Sequence, residues 1–215
     1  MRKLFLLFTI LCLSGFLFSQ EQWVPLKQGK TGTIFEPQLH DATIGNSVVE
    51  FSFDGFYFFD MPTQKGDEKI VDVPNSSRLL DANAPDLVKF TASIQIPDKS
   101  NVKVNVVEST YQEFTDIEIA PSKGNLYRNI SIDDVPFVYG DVYQKDEFFP
   151  GKLADLGDPY IIRDHRGVAV HTFPFQYNPV TKVLRVYDKI VVEIVETTGK
   201  AVNPLNPRNF AKKDA

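Results

Sequence analysis

The sequence predicts an all-β chain: one antiparallel domain of β-sandwich or jelly-roll-like kind, preceded by a signal-peptide helix. Three observations carry this. Short segments alternate apolar and polar residues at period two, as half-buried strands do. Clusters of turn-forming residues punctuate them at short, regular spacing. No amphipathic helical pattern runs longer than a turn or two, and 18 Phe and 8 Tyr in 215 residues suit pleated, half-buried surfaces.

The chain opens with Arg2 and Lys3, an almost unbroken apolar run from Leu4 to Phe18, and the small Ser19. That is the layout of a secretory signal peptide, cut to leave Gln20 or Glu21 near the new N-terminus. The run falls short of the roughly 20 apolar residues of a membrane-spanning helix. Leu11 stands before Cys12 where a lipoprotein signal would place a small residue. The expected organisation is a signal peptide over 1–19, an irregular lead-in over 20–46, a β-sandwich over 47–198 and a linker or processing tail over 199–215. Export follows the Sec route, to the periplasm, the cell surface or the medium.

The net charge is −5, and Arg2 and Lys3 contribute +2, so the exported part carries −7. No basic stripe appears, which argues against nucleic acid and, once the signal is cut, against an anionic membrane surface. Cys12 is the single cysteine, so the exported part has no thiol, disulfide or thiolate metal site. Stability must come from core burial, for which the length suffices.

The elements follow in order. Residues 20–46 are polar and turn-rich, with room for one edge strand. Residues 47–61 read as two strands: Val49, Phe51 and Phe53 alternate with Glu50, Ser52 and Asp54, and Asp54-Gly55 is a turn or bulge dipeptide. Lys69–Val73 is a short strand closed by Pro74, and 74–86 a loop. Leu87–Ile96 and Val102–Val107 alternate again and, joined by PDKSN, suit a hairpin. Gln112–Ile119 is a further strand. Residues 120–158 are mixed, with short strands before Phe148 and a turn of helix at 152–156. Tyr160–Ile162 leads to a turn at 164–167, and Val168–Tyr177 is a strand. NPVTK (178–182) turns the chain into Val183–Thr197. In that last strand Val191, Glu193 and Val195 oppose Val192, Ile194 and Glu196, so one residue is out of phase or a bulge intervenes.

Chemistry is sparse. Nucleophilic catalysis needs an activated nucleophile beside a base. The histidines are His40, His165 and His171, no G-x-S-x-G elbow occurs, and surface or packing roles fit all three better. No H-E-x-x-H, EF-hand or glycine-rich phosphate loop is present, so no metal and no cofactor is called for. Asp133-Asp134 and Asp146-Glu147 read as solvated loop charges. Asn75-Ser76-Ser77 and Asn129-Ile130-Ser131 match the weak N-x-[ST] pattern.

One loop stands out. Phe148-Phe149-Pro150-Gly151-Lys152 sets two large apolar residues, a Pro-Gly pair suited to a type II turn, and a long cation in a row. Read locally, Phe148 or Phe149 anchors the loop in the core and Lys152 is simply solvated.

IAPSKG (119–124), VPFVYG (135–140), FFPG (148–151), LGDPYIIRDHRG (156–167) and FQYNPVTKVLRVY (175–187), in this order and spacing, resemble the propeptide of gingipain-type cysteine peptidases. These belong to a clostripain-like family secreted by Bacteroidetes-type bacteria. The likeness is strongest over 115–196 and colinear, but weaker, from about 47. It implies a β-sandwich between signal peptide and catalytic domain that assists folding and covers the active-site cleft until removed. The enzymes of this family cleave after Arg or Lys and leave by the type IX route.

The family's catalytic His and Cys have no counterpart here, so no activity carries over to this chain. The implied partner is a cognate cysteine peptidase catalytic domain, in cis in a longer precursor or in trans. The resemblance makes Phe148, Phe149, Pro150, Gly151 and Lys152 the candidate inhibitory loop, with Lys152 entering an anionic specificity pocket. It makes Arg208, Lys212 and Lys213, in the unpatterned tail, the candidate processing sites. The competing reading is an adhesive or carbohydrate-binding β-sandwich, supported by export and aromatic richness.

Overall fold

The computed structural model describes residues 21–30 and 35–206. The expected signal peptide over 1–19 and the candidate processing residues Arg208, Lys212 and Lys213 lie outside that range. The strands are β1 (Gln22–Pro25), β2 (Glu36–Thr43), β3 (Asn46–Ser52), β4 (Gly55–Thr63), β5 (Gly66–Asp72), β6 (Ser77–Arg78), β7 (Val88–Gln95), β8 (Asn101–Phe114), β9 (Ala154–Leu156), β10 (Tyr160–Ile162), β11 (His165–Thr172), β12 (Phe175–Asn178) and β13 (Val183–Thr197). Their ladders are antiparallel throughout.

One five-stranded sheet runs β12-β13-β3-β2, with β8 on the other edge of β13. A second runs β10-β11-β7-β6, with β9 also on β11, and a three-stranded sheet is β1-β4-β5. All three close on one core. Phe51, Phe175, Ile190, Val192 and Ile194 come from the first sheet, Val88, Phe90 and Val170 from the second, and Phe56, Phe58 and Val71 from the third. The period-two pattern explains this directly: Val49 and Phe51 of β3 point inward while Val48, Glu50 and Ser52 are half-buried.

The expected strands at 47–61 and the final strand are present, and Tyr160–Ile162, expected only to lead to a turn, is also a strand. The bulge expected in the final strand is double. Register slips between Val186 and Lys189 and again between Val191 and Val192, the first gaining a residue on β13 and the second on β8. The two slips cancel, so the ladder regains its starting register.

Other expectations need correction, and prolines explain two of them. β7 and β8 are no hairpin: β7 pairs with β11 and β6, β8 with β13. Ile96 N still donates to Arg166 O (2.9 Å), but Pro97 has no amide to extend the ladder, and the chain crosses to the other sheet. Likewise Val168–Tyr177 is two strands, because the ladder on β7 ends at Thr172 and Pro174 starts the crossing into β12.

Asp54-Gly55 also crosses between sheets rather than closing a hairpin. A Cβ at Gly55 would sit 2.4 Å from the Trp23 ring and 2.6 Å from Val24 O, so only glycine lets β1 approach. The hairpin turn between β10 and β11 is Arg163-Asp164 rather than 164–167.

Residues 112–119 are strand only to Phe114. Residues 154–156 form β9, not a helical turn, because they complete the edge of β11. Between 130 and 148 there are 3-10 turns (Ile132–Asp134, Asp141–Gln144) instead of strands. Tyrosines hold this stretch: Tyr143 donates to Ile119 O (2.8 Å), and Tyr139 to Thr63 Oγ1 (3.1 Å) and the buried Glu68 carboxylate.

The lead-in is more ordered than expected. It contributes β1 and the edge strand β2. Phe35 inserts between the sheets, its ring stacked 3.8 Å from Phe90 and 5.8 Å from Phe51. Residues 200–205, expected as linker, are hydrogen-bonded onto the domain. Among the described residues no helix is long and apolar enough to cross a membrane.

Phe90 is 1% exposed and touches both Phe35 and Phe53. Phe90→Ala should cost about 3–5 kcal/mol in a urea titration. A loss under ~1 kcal/mol would mean that the two sheets do not share this core.

Candidate functional site

The Phe148–Lys152 loop is built outward from β12. Phe149 exchanges backbone hydrogen bonds with Tyr177, N to O at 2.9 Å and O to N at 2.8 Å. One side chain then fixes the turn. The Gln176 amide, 3% exposed, accepts from Gly151 N (2.9 Å) and donates to Lys152 O (2.9 Å) and Phe173 O (3.0 Å). Gly151 has φ +81°, the left-handed value that the second central residue of a type II turn requires. The Phe149–Pro150 peptide is cis.

The loop's side chains differ in their surroundings. Phe149 packs against the core. Phe148 lies outside it, half-buried, under the Arg185 guanidinium, which is 4.2 Å from its ring centre and 4.5 Å from that of Tyr111. Arg185 also pairs with Glu113 (2.7 Å). Lys152 is not free: its ammonium pairs with Asp155 three residues on and lies 5.3 Å from the Phe173 ring centre. That pairing holds the Asp155 carboxyl below the usual carboxylate range. Both side chains are about half exposed, so the pair is weak, worth about 1 kcal/mol or less.

A second loop was missed by sequence reasoning. Residues 123–134 leave the core at Ala120–Ser122 and return at Val135. Their base is fixed: Lys123 donates to Ile132 O (2.8 Å), and Gly124 N to Ser122 Oγ (3.1 Å). At the far end Ile130 N donates to Tyr127 O (3.0 Å), closing a turn whose central residues are Arg128 and Asn129. Tyr127 is 79% exposed. Arg128 is exposed and makes no ion pair or hydrogen bond with any described residue. The sequence signal was a basic residue in a polar stretch after IAPSKG, too common a pattern to single out.

Beside the loop base lies a cleft of about 240 Å³ lined by Met61, Ile70, Leu80, Pro121, Ile132 and Phe137. Below it Arg78 and Asp86 pair at 2.8 Å. Burial pushes the Asp86 carboxyl up, against the pull of Arg78. The histidines do not converge: His40 pairs with Glu50 (3.1 Å) and His171 with Thr91 Oγ1 (2.9 Å), on different sheets. No group of three or more potential metal ligands forms among the described residues.

Gln176→Ala removes three hydrogen bonds and leaves buried backbone groups unpaired. It should cost about 2–4 kcal/mol and speed hydrogen exchange at Gly151. Unchanged exchange there would refute the clamp.

The His171 imidazole is held below its ordinary value of 6.5, first by burial, then by Lys89 and Lys152, against the pull of Asp155. The unfolded chain therefore binds this proton more readily. Stability from this group is complete above pH 6.5 and falls as pH drops through the lower folded value. His171→Asn should flatten that part of a stability–pH curve, and an unchanged slope would exclude His171 as its source.

The profile of the Propeptide_C25 family matches residues 38–210. Gingipain R2 of Porphyromonas gingivalis is 37% identical over 194 residues, covering 90% of this chain and 25% of that protein. Gingipain R1 of the same organism is 39% identical over 160 residues, 74% of this chain and 16% of that protein. The chain thus spans a quarter or less of the length of these relatives.

A solved complex of the Porphyromonas gingivalis RgpB pro- and mature domains superposes with TM-score 0.76 at 39% identity, covering 78% of this chain and 87% of the matched one. A structure on the zymogenic latency of gingipain K superposes with TM-score 0.70 at 19% identity, covering 84% and 100%, a likeness of fold. With its family profile matched over most of its length and its sandwich shared with a solved prodomain, the chain belongs to the Propeptide_C25 family.

Proposed function

We propose that this chain is the latency-maintaining and folding-assisting prodomain of a secreted gingipain-like cysteine endopeptidase, and that it covers that enzyme's active-site cleft. The observation that carries this is the match, over 78% of the chain, to a prodomain solved together with its mature domain. Export by the Leu4–Phe18 signal and passage by the type IX route belong to the same reading. So does release of the prodomain by a cut near Arg208, Lys212 or Lys213.

The adhesive reading loses its support. The phenylalanines that suggested it are spent in the core: Phe35, Phe51, Phe53, Phe56, Phe58, Phe90, Phe173 and Phe175 are all buried. Trp23 packs on Tyr57 at 4.8 Å instead of forming an open platform.

Two loops offer a cation to a pocket that recognises basic residues. Phe148–Lys152 has the rigid turn, but Lys152 must first leave Asp155. The 123–134 loop presents Arg128 at the tip of a closed turn, beside an exposed tyrosine, with no partner to leave among the described residues. A guanidinium also meets a pocket carboxylate through two parallel hydrogen bonds. The geometry therefore favours Arg128 as the plug, with Phe148–Lys152 as a supporting contact.

Inhibition of the cysteine peptidase from the same organism by purified variants separates the two. Arg128→Ala should raise the inhibition constant at least about tenfold and Lys152→Ala less than about threefold. The reverse order would give the plug to Lys152. Two small effects would remove the cation plug and leave latency to surface coverage.

A further inference from the structure

Arg166 on β11 is the largest fully buried side chain of the described residues, at 0% exposure. Among the described residues no carboxylate pairs with it. Its guanidinium instead donates to four backbone carbonyls: Pro97 O (2.5 Å), Ser100 O (2.6 Å), Val202 O (2.6 Å) and Asn203 O (2.9 Å). The first two lie in the crossing from β7 to β8, the last two in the segment after β13. A buried charge without such acceptors would be costly, so the fold needs the 202–203 backbone in place.

A second side chain grips the same segment. Asn101, the first residue of β8, donates from Nδ2 to Lys200 O (2.8 Å) and accepts at Oδ1 from Val202 N (2.9 Å). Asn203 Nδ2 donates to Pro159 O (2.9 Å) and Leu205 N to Asp98 O (3.0 Å). Lys200 itself is exposed and basic.

A peptidase binds its substrate as an extended strand whose amides and carbonyls are free to pair with the enzyme. Around the Lys200–Ala201 bond, the Lys200 carbonyl and the Val202 amide are already taken by Asn101. We infer that Asn101 and Arg166 form a clamp that shields the Lys200–Ala201 bond from proteases specific for basic residues. The segment to Leu205 then stays with the sandwich when the chain is cut further on. Loss of that segment would strip two of the four acceptors from the buried guanidinium, so the clamp also protects the domain itself. This goes beyond the latency reading and does not depend on it.

The test uses trypsin as the probe protease on the full exported chain, with fragment masses followed in time. The unmutated chain should resist cutting after Lys200. Asn101→Ala should be cut there at least about tenfold faster, because proteolysis follows the population of the opened segment and two hydrogen bonds are lost. Cutting after Lys89, inside β7, should not change and reports whether the variant has opened as a whole. Equal rates at Lys200 in the two proteins, or rapid cutting of the unmutated chain there, would overturn the clamp. If Lys89 becomes vulnerable too, hydrogen exchange in the unmutated chain decides. Slow exchange at the Val202 and Leu205 amides supports the clamp, and exchange at the free-peptide rate overturns it.

Discussion

Strand β13 is hydrogen-bonded on both edges, and the rest of the molecule is arranged around that constraint. Along one edge it pairs with β8 from Leu184 to Thr197. Along the other it pairs first with β12 and then with β3, placed end to end. Its inward residues Leu184, Val186, Ile190, Val192 and Ile194 are each at most 1% exposed. A strand held on both sides cannot slip without turning that apolar row to solvent, so it sets the register of the whole first sheet. The two cancelling bulges let β8 follow its twist over fourteen residues without losing that register.

The second sheet is tied to this one by chain crossings rather than hairpins. Pro97 and Pro174 end ladders on the second sheet and send the chain to the first. Each crossing is then secured by one buried polar side chain: Arg166 beside Pro97, Gln176 beside Pro174. The same side chains reach outward to the surface features. Gln176 shapes the Phe148–Lys152 turn, and Arg166 holds the segment after β13. The Phe148–Lys152 turn and the segment after β13 are thus positioned by the joints of the sandwich.

The fold class could be read from the sequence because alternation is a local signal. Val49, Phe51 and Phe53 announced an inward face, and all three are buried. Partner choice is not local. Nothing in the alternation of β7 and β8 tells a hairpin from a crossing, and Phe35 lies in a stretch with no period yet fills the gap between the sheets. The Phe148–Lys152 turn was legible from Pro-Gly, whereas the ion pair of Lys152 with Asp155 emerged only from the coordinates. Arg128 was hidden for another reason: a lone arginine gains meaning from the turn that lifts it, and that turn depends on contacts at residues 122 and 132. Arg166 sat in a motif that carries the resemblance, but its buried role gave no signal, since its acceptors are backbone carbonyls.

The charge pattern fits a protein that meets a partner. Some cations of the sandwich faces pair with anions across strands, as Arg185 with Glu113 and Lys189 with Glu108 do. The tip of the 123–134 loop keeps an exposed aromatic ring and a guanidinium without a partner among the described residues, groups that gain most from a desolvating partner surface. The most direct measurement is titration of the cysteine peptidase from the same organism with the unmutated chain, following both activity and alkylation of the catalytic thiol. The account predicts one-to-one loss of activity with the thiol protected. Full activity and an alkylable thiol at saturating chain would contradict it.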